Sequence, residues 1–309
     1  MLERILKPLY TNCEIEKAGD IWKYCNSQIT KIKFTEDNLN NMCINSLTYG
    51  YFTGHDNSLD KLTLIKLDHA LGLNGISNPE GSAHIPPIYP KTNCETQSDS
   101  DILRNIEHAL GFSLKFPEFT GGIITTLSDF GIFSIRHLHY LWVAKRILEL
   151  CPDRNSAIIE IGPGIGILGY YLDQLGYKDY TIIDLAYQNA CQAYYLWKNL
   201  PHREFILSGE VEDPFSNEYK ESIKILHSTD FDNTSMGRYD LMVNIDGLTE
   251  YSIEDAKRYI HSDCAPLLLS INHEVNLFRV IEIAEPFKHL VYRFPFWLRE
   301  GYVEELYKS

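Results

Sequence analysis

Ala157-Ile158-Ile159-Glu160-Ile161-Gly162-Pro163-Gly164-Ile165-Gly166-Ile167-Leu168-Gly169 is the stretch whose reading decides the fold. A short apolar run reads as a buried strand. It ends around Glu160, and glycines then recur at every second position. Residues 168 to 175 follow with helical spacing, so the stretch predicts a strand, a glycine turn and a helix start. Glycine allows the tight turn and lets a ligand approach the backbone without Cβ interference. The helix start behind it offers free N–H groups to an anionic group. Glu160, at the strand tip, is placed to accept hydrogen bonds from a cationic or hydroxylated ligand.

The pattern alternates from here to the end of the chain. Strand 157–161 leads to a helix over 165–175. Strand 180–183 ends at Asp184, and a helix over 186–199 follows. Residues 201–222 read as an irregular insertion, followed by a strand over 223–226. Strand 239–245 is followed by a helix over 252–262, and strand 266–271 by a helix over 275–284. Two extended pieces, 288–294 and 302–308, have no helix-length segment between them. This predicts a mostly parallel α/β sheet with helices on both faces, closed by an antiparallel C-terminal hairpin.

Upstream the pattern is mainly helical. Residues 1–34 carry helical apolar spacing. Residues 61–73 carry a stripe of Leu62, Ile65, His69 and Leu73. Residues 38–54 end in the aromatic stretch 49–54, and residues 74–100 read as a long loop. A short helix over 101–110 has Asp101 as its expected cap, and 111–134 is rich in Gly and Phe. Residues 135–150 form an amphipathic helix that ends before Cys151-Pro152. The expected division is an N-terminal substrate portion over 1–134 and a ligand-binding domain over 135–309.

Composition narrows the function classes. Net charge is −14, from 28 Lys and Arg against 42 Asp and Glu, and no basic block stands out. A nucleic-acid or anionic-membrane partner needs clustered cations, so neither is expected. No apolar run is long enough for a membrane span, and no secretory signal is evident. The seven cysteines are scattered and make no C-x-x-C, which fits idle thiols in a reducing cytoplasm.

The glycine run admits two ligand readings beside a purely structural turn. Gly164-x-Gly166-x-x-Gly169 fits the dinucleotide fingerprint, although Gly162 takes the place at the strand end. Read from the strand, the pattern is Glu-x-Gly-x-Gly-x-Gly over 160–166. That resembles the first motif of class I S-adenosylmethionine-dependent methyltransferases. Three features favour this second reading: no second nucleotide-binding half, a closing hairpin, and an N-terminal helical portion. Asp184 follows Gly162 at the next strand tip, where an acidic side chain can take both hydroxyls of a ribose. The alternative reading is an ordinary cap for the helix over 186–199, compatible with the first, and neither separates the two cofactors.

A narrower resemblance rests on Asn244-Ile245-Asp246-Gly247-Leu248-Thr249-Glu250, Ser270-Ile271-Asn272-His273-Glu274 and Arg293-Phe294-Pro295-Phe296-Trp297. Together these are similar to the sugar O-methyltransferases found with bacterial surface-polysaccharide genes. That family has a serine and a Glu-Met pair after the fourth strand, where this chain has Gly247 and Glu250-Tyr251. The resemblance implies S-adenosylmethionine as cofactor, held by Glu160, Gly162, Gly164, Gly166, Asp184 and Asn244. It implies a small-molecule acceptor, a sugar or sugar nucleotide; a cytoplasmic protein is expected, with a homodimer as one possible assembly.

Methyl transfer is an in-line displacement, so the acceptor must be aligned, and a hydroxyl acceptor needs a base for its proton. Ligands of open α/β sheets lie outside the carboxyl ends of the strands. His273 is the expected general base, because its ordinary pKa lies near neutrality, with Asp246 and Glu250 orienting the acceptor or serving in its place. Arg136, His137, Glu274 and Arg299 are expected on the acceptor, with Arg293 a further cation near the hairpin. Asp246, Glu250, His273 and Glu274 are hard donors that suit a divalent metal if they converge, but no metal is expected. Rival readings are a methyltransferase for a non-sugar metabolite or peptide, a non-catalytic cofactor-binding partner, and a nicotinamide-dependent oxidoreductase.

Overall fold

The computed structural model describes residues 1–11, 31–45, 47–48, 57–71, 98–123, 125–234 and 236–309. Of the helix expected over 1–34, residues 12–30 lie outside the described residues, as do the aromatic stretch 49–54 and most of the loop 74–100, while 31–34 are described and are not helical.

The N-terminal helices are α1 (Leu2–Thr11), α2 (Glu36–Asn40), α3 (Asn57–Ala70) and α4 (Asp99–Leu110). Two expectations change here. In α3 the buried face carries Asp60, Leu64, Leu67 and Asp68, while Leu62 is exposed, so the helix is rotated from the expected stripe. The cap of α4 is Ser98, whose hydroxyl accepts from the Asp101 N–H at 3.2 Å, so Asp101 lies inside the helix. A small hairpin, β1 (Thr126–Ser128) and β2 (Gly131–Phe133), precedes α5 (Ile135–Leu150).

The chain continues as β3 (Ile158–Ile161), α6 (Ile167–Gln174), β4 (Tyr180–Asp184), α7 (Ala186–Asn199), β5 (Phe205–Leu207), β6 (Ile223–His227), β7 (Leu241–Ile245), α8 (Ile253–Ile260), β8 (Leu267–His273), α9 (Val280–Ala284), β9 (His289–Pro295) and β10 (Tyr302–Lys308). The sheet runs β5-β6-β4-β3-β7-β8-β10-β9. Strands β3 to β8 pair in parallel, while β10 pairs antiparallel with both β8 and β9. This is a Rossmann-like, mostly parallel sheet with the expected antiparallel C-terminal pair. Every residue of β3, β4 and β6 is buried, the polar Glu160, Thr181, Asp184, Lys224 and His227 included, as expected for parallel strands covered on both faces.

Two segments differ from expectation. The insertion 201–222 contains β5, which adds a parallel edge beside β6. Arg4 of α1 covers that edge, donating to the Phe205 carbonyl at 2.5 Å and pairing with Glu210. The helix expected over 275–284 forms only over Val280–Ala284. Its first half is a turn, tied down by the Asn276 amide donating to the Thr249 hydroxyl at 2.8 Å.

The N-terminal elements share the main core. Leu39, Leu64, Ile102 and Ile106 pack in one buried cluster with Leu141, Ile158, Leu168 and Leu196. The close fit of α6 on the sheet depends on Gly169. A Cβ there would stand 2.7 Å from the Tyr180 ring and 3.3 Å from Leu196, and the Tyr180 hydroxyl is anchored on Glu160. Gly→Ala inside a helix ordinarily stabilises. Here overpacking reverses the sign, and Gly169→Ala is expected to cost about 1–3 kcal/mol. A fall in the urea midpoint checks this, and a rise would contradict it.

Candidate active site

A cleft opens over the carboxyl ends of β3, β4, β7 and β8, where the strand order reverses between β3 and β7. Open α/β sheets bind ligands at that switch point. One half is built on the glycine turn. Gly162 and Gly164 line it with φ of 64° and 62°, backbone that disfavours a Cβ. A Cβ on Gly162 would also collide with the Tyr251 hydroxyl. Gly166 lies outside the lining and serves as the left-handed N-cap of α6.

Asp184, at the tip of β4, shares this half with Gln188 and Tyr251. Its carboxylate accepts from the Leu185 N–H at 2.8 Å and from Gln192 Nε2 at 2.6 Å. The same Gln192 amide donates to the Gly164 carbonyl at 2.9 Å, so one side chain couples the turn to the acid. Burial pushes Asp184 up to about 7, against those two hydrogen bonds. Such a carboxylate gains from any hydroxyl that donates to it.

Two residues expected on the ligand lie beneath the cleft instead. Glu160 is fully buried and accepts from the Tyr180 hydroxyl. Its Oε1 has no hydrogen-bond partner among the described residues. Burial pushes its carboxyl up to about 8, with Asp184 adding and Tyr180 opposing. Asn244 is also fully buried, and its amide braces the strand tips. It donates to the Ile161 carbonyl at 2.7 Å and accepts from the Leu248 N–H at 3.0 Å and from Asn272 at 2.8 Å.

The other half comes from three separate segments. The spacing i, i+3, i+4 puts Arg136, His139 and Tyr140 of α5 on one face, toward the cleft. The turn between β9 and β10 supplies Phe296 and Arg299, and β10 supplies Tyr302. The segment after β7 supplies Asp246, Gly247 and Glu250. Asp246 takes a left-handed φ of 58°. Its carboxylate pairs with Arg299, accepts from the Tyr302 hydroxyl at 2.5 Å, and lies 3.9 Å from Arg136. It therefore acts as a hub for the two guanidiniums and is not a free base.

The remaining expected residues do not line the cleft. His273 Nδ1 accepts from the Val275 N–H at 3.2 Å, and its Nε2 lies against Gly301. The base expected there is thus occupied in a turn. Glu274 pairs with Arg293 beside the hairpin. His137 is fully buried, and its Nδ1 accepts from the Ser134 N–H at 3.0 Å at the start of α5. Burial alone holds it down to about 3, a neutral cap. His139, Tyr140, Gln188, Tyr251, Phe296 and Tyr302 were missed. Stepping three and four residues from Arg136 along α5 was the available signal for the first two. Among the described residues no group of three or more His, Cys, Asp and Glu is placed to hold a metal, and no helix is long and apolar enough to cross a membrane.

No protein-family model and no curated protein matches the chain. Among solved structures the chain is similar to magnesium protoporphyrin IX methyltransferase from Synechocystis PCC 6803 with bound SAM, at 13% identity and TM-score 0.41, over 57% of this chain and 80% of that one. It is similar to the mitomycin 7-O-methyltransferase at 14% identity and TM-score 0.35, over 56% of this chain and 57% of that one. A SAM-dependent methyltransferase from Aquifex aeolicus gives 15% identity and TM-score 0.36, over 53% of this chain and 88% of that one. At these identities the likeness concerns the fold alone, which the strand order establishes independently.

The raised acid beneath the turn makes stability depend on pH. Glu160 binds its proton more tightly folded, about 8, than at its ordinary 4.5. Its contribution is full below pH 4.5 and is lost as pH rises through 8. Urea midpoints between pH 5 and 9 are expected to fall for the wild type and to fall less for Glu160→Gln. Parallel curves would contradict this.

Proposed function

We propose that this chain is an S-adenosylmethionine-dependent methyltransferase acting on a hydroxyl of a sugar or sugar nucleotide, in bacterial glycan biosynthesis in the cytoplasm. The observation that carries the reading is the coupled pair at the switch point: a glycine turn in left-handed backbone and a buried strand-tip acid, joined by Gln192. Gly162 and Gly164 would let the cofactor approach the backbone, and Asp184 would accept from its ribose hydroxyls. The unpartnered Oε1 of Glu160 lies beneath that turn and supports it. When bound, the cofactor supplies an electrophilic methyl group on a sulfonium.

The chain's own residues do the rest. Arg136 and Arg299 carry donors for acceptor oxygens, arranged around Asp246, and the Tyr302 hydroxyl helps to hold that carboxylate in place. Phe296 and Tyr302 add apolar surface to this half of the cleft, with the Arg299 guanidinium stacked over the Tyr302 ring at 3.9 Å. Holding the acceptor aligned is itself a large part of the rate.

Incubation with methyl-labelled S-adenosylmethionine and a panel of nucleotide sugars tests the acceptor. Label in a sugar product, with S-adenosylhomocysteine released, is the expected result. Label passing only to amines, peptides or aromatic hydroxyls would overturn the sugar acceptor and keep the methyl transfer.

A further inference from the structure

We infer that the acceptor carries an apolar arm, an aromatic or aliphatic group of ring size, which binds in a second cavity beside the cleft. The inference rests on the methyl-transfer reading above. It narrows the acceptor from a sugar or sugar nucleotide to a sugar with an apolar aglycone.

The cavity holds about 310 Å³. Pockets for small molecules begin at roughly 300 Å³, with mostly apolar and aromatic walls. Here the walls come from three segments. Trp142 and Arg146 lie one turn apart on α5, and Ala70 ends α3. The end of β9 and the turn after it give Phe294, Phe296 and Trp297.

Two links tie the cavity to the cleft. Phe296 lines both. His139 of the cleft and Trp142 and Arg146 of the cavity stand at i, i+3 and i+7 on α5, so one face of that helix lines both. An acceptor with its hydroxyl in the cleft can thus extend past Phe296 with its far end in the cavity.

The polar side chains of α5 in the lining are already engaged. The Trp142 indole donates to Glu304 Oε2 at 2.7 Å, and Arg146 Nε donates to Glu304 Oε1 at 2.8 Å. The other two guanidinium nitrogens donate to the Tyr292 hydroxyl, at 2.7 Å, and to Glu149. Glu304 is fully buried and also accepts from the Tyr292 hydroxyl at 2.9 Å. The Arg146 charge is therefore balanced inside the protein. The same network holds Trp142 and Arg146 in place before a ligand arrives, which lowers the ordering cost of binding.

This accounting selects the ligand. A bare sugar ring brings several hydroxyls, and a nucleobase brings its polar edge. Both would lose water here and find few free side-chain groups in exchange. Trp297 keeps an indole N–H with no hydrogen bond among the described residues, enough for one oxygen. An apolar ring gives up no polar hydration and gains from burial against the aromatic walls.

Titration calorimetry with 2-naphthyl β-D-glucoside, methyl β-D-glucoside and uridine diphosphate glucose tests the cavity. The naphthyl glucoside is expected to bind at least about tenfold more tightly than the methyl glucoside, the worth of a partly buried ring. That gain is expected to vanish in Trp297→Ala and in Ala70→Leu, which fills the cavity and leaves its aromatic walls intact. Equal affinities for the two glucosides overturn the proposal on the wild type alone, whatever the variants do. A gain that survives in both variants overturns it too. So does tightest binding of uridine diphosphate glucose that is lost in Trp297→Ala, which gives the cavity to a nucleobase. With a sugar that accepts label from the cofactor, its naphthyl glycoside is expected to have a lower KM than its methyl glycoside at similar kcat, and equal KM values overturn the link between cavity and cleft. If the wild type binds the naphthyl glucoside but not S-adenosylhomocysteine, the methyl-transfer reading falls while the cavity keeps its ligand, which separates the two failures.

Discussion

The side chain of Asn244 holds the cleft open. It sits where the strand order reverses, between β3 and β7, and bonds to the last carbonyl of β3, the turn after β7, and Asn272 in β8. Three strand tips are fixed by one buried amide. Without it the Ile161 carbonyl and the Leu248 N–H would be buried without partners, at about 1–3 kcal/mol each. Every group that lines the cleft from β3 or β7 is placed relative to this brace. Gln192 repeats the device on the other side, tying the Gly164 carbonyl to Asp184.

These braces account for the electrostatics. With the tips locked and water excluded, Asp184 and Glu160 are both pushed up toward neutrality by burial. The protein keeps two poorly solvated acids beside the turn, one facing the cleft and one beneath it. A ligand that brings hydroxyl donors and a positive charge relieves both. The opposite wall is cationic, with Arg136 and Arg299 gathered on Asp246, and His139 is neutral beside them. One end of the cleft thus suits a cation, and the other suits oxygen acceptors and a proton to be removed.

Much of this was legible in the sequence because short-range chemistry wrote it. The run 157–169 gave strand, turn and helix, and alternation gave the parallel sheet and the C-terminal pair. Helices 135–150 and 186–199 have the expected bounds. What failed was convergence. His273, His137, Glu274 and Asn244 have suitable chemistry, yet backbone N–H groups, Arg293 and the strand tips claim them. Tertiary pairing of that kind leaves no mark at the level of spacing. His139 carried a signal, the i+3 step from Arg136, but its burial against the Phe296 ring depends on the turn between β9 and β10, more than 150 residues away. The rotation of α3 and the shortening of α9 have the same origin: packing partners and a side-chain tie, not local propensity.

The central claim is that the turn and Asp184 form an adenosyl-sulfonium site, not a dinucleotide site. Titration calorimetry with S-adenosylhomocysteine and, separately, with NADH tests it most directly, on the wild type and on Asp184→Ala. S-adenosylhomocysteine is expected to bind the wild type at least tenfold more tightly than the variant, with no heat from NADH. Binding of NADH alone, or an S-adenosylhomocysteine affinity indifferent to Asp184, would contradict the account.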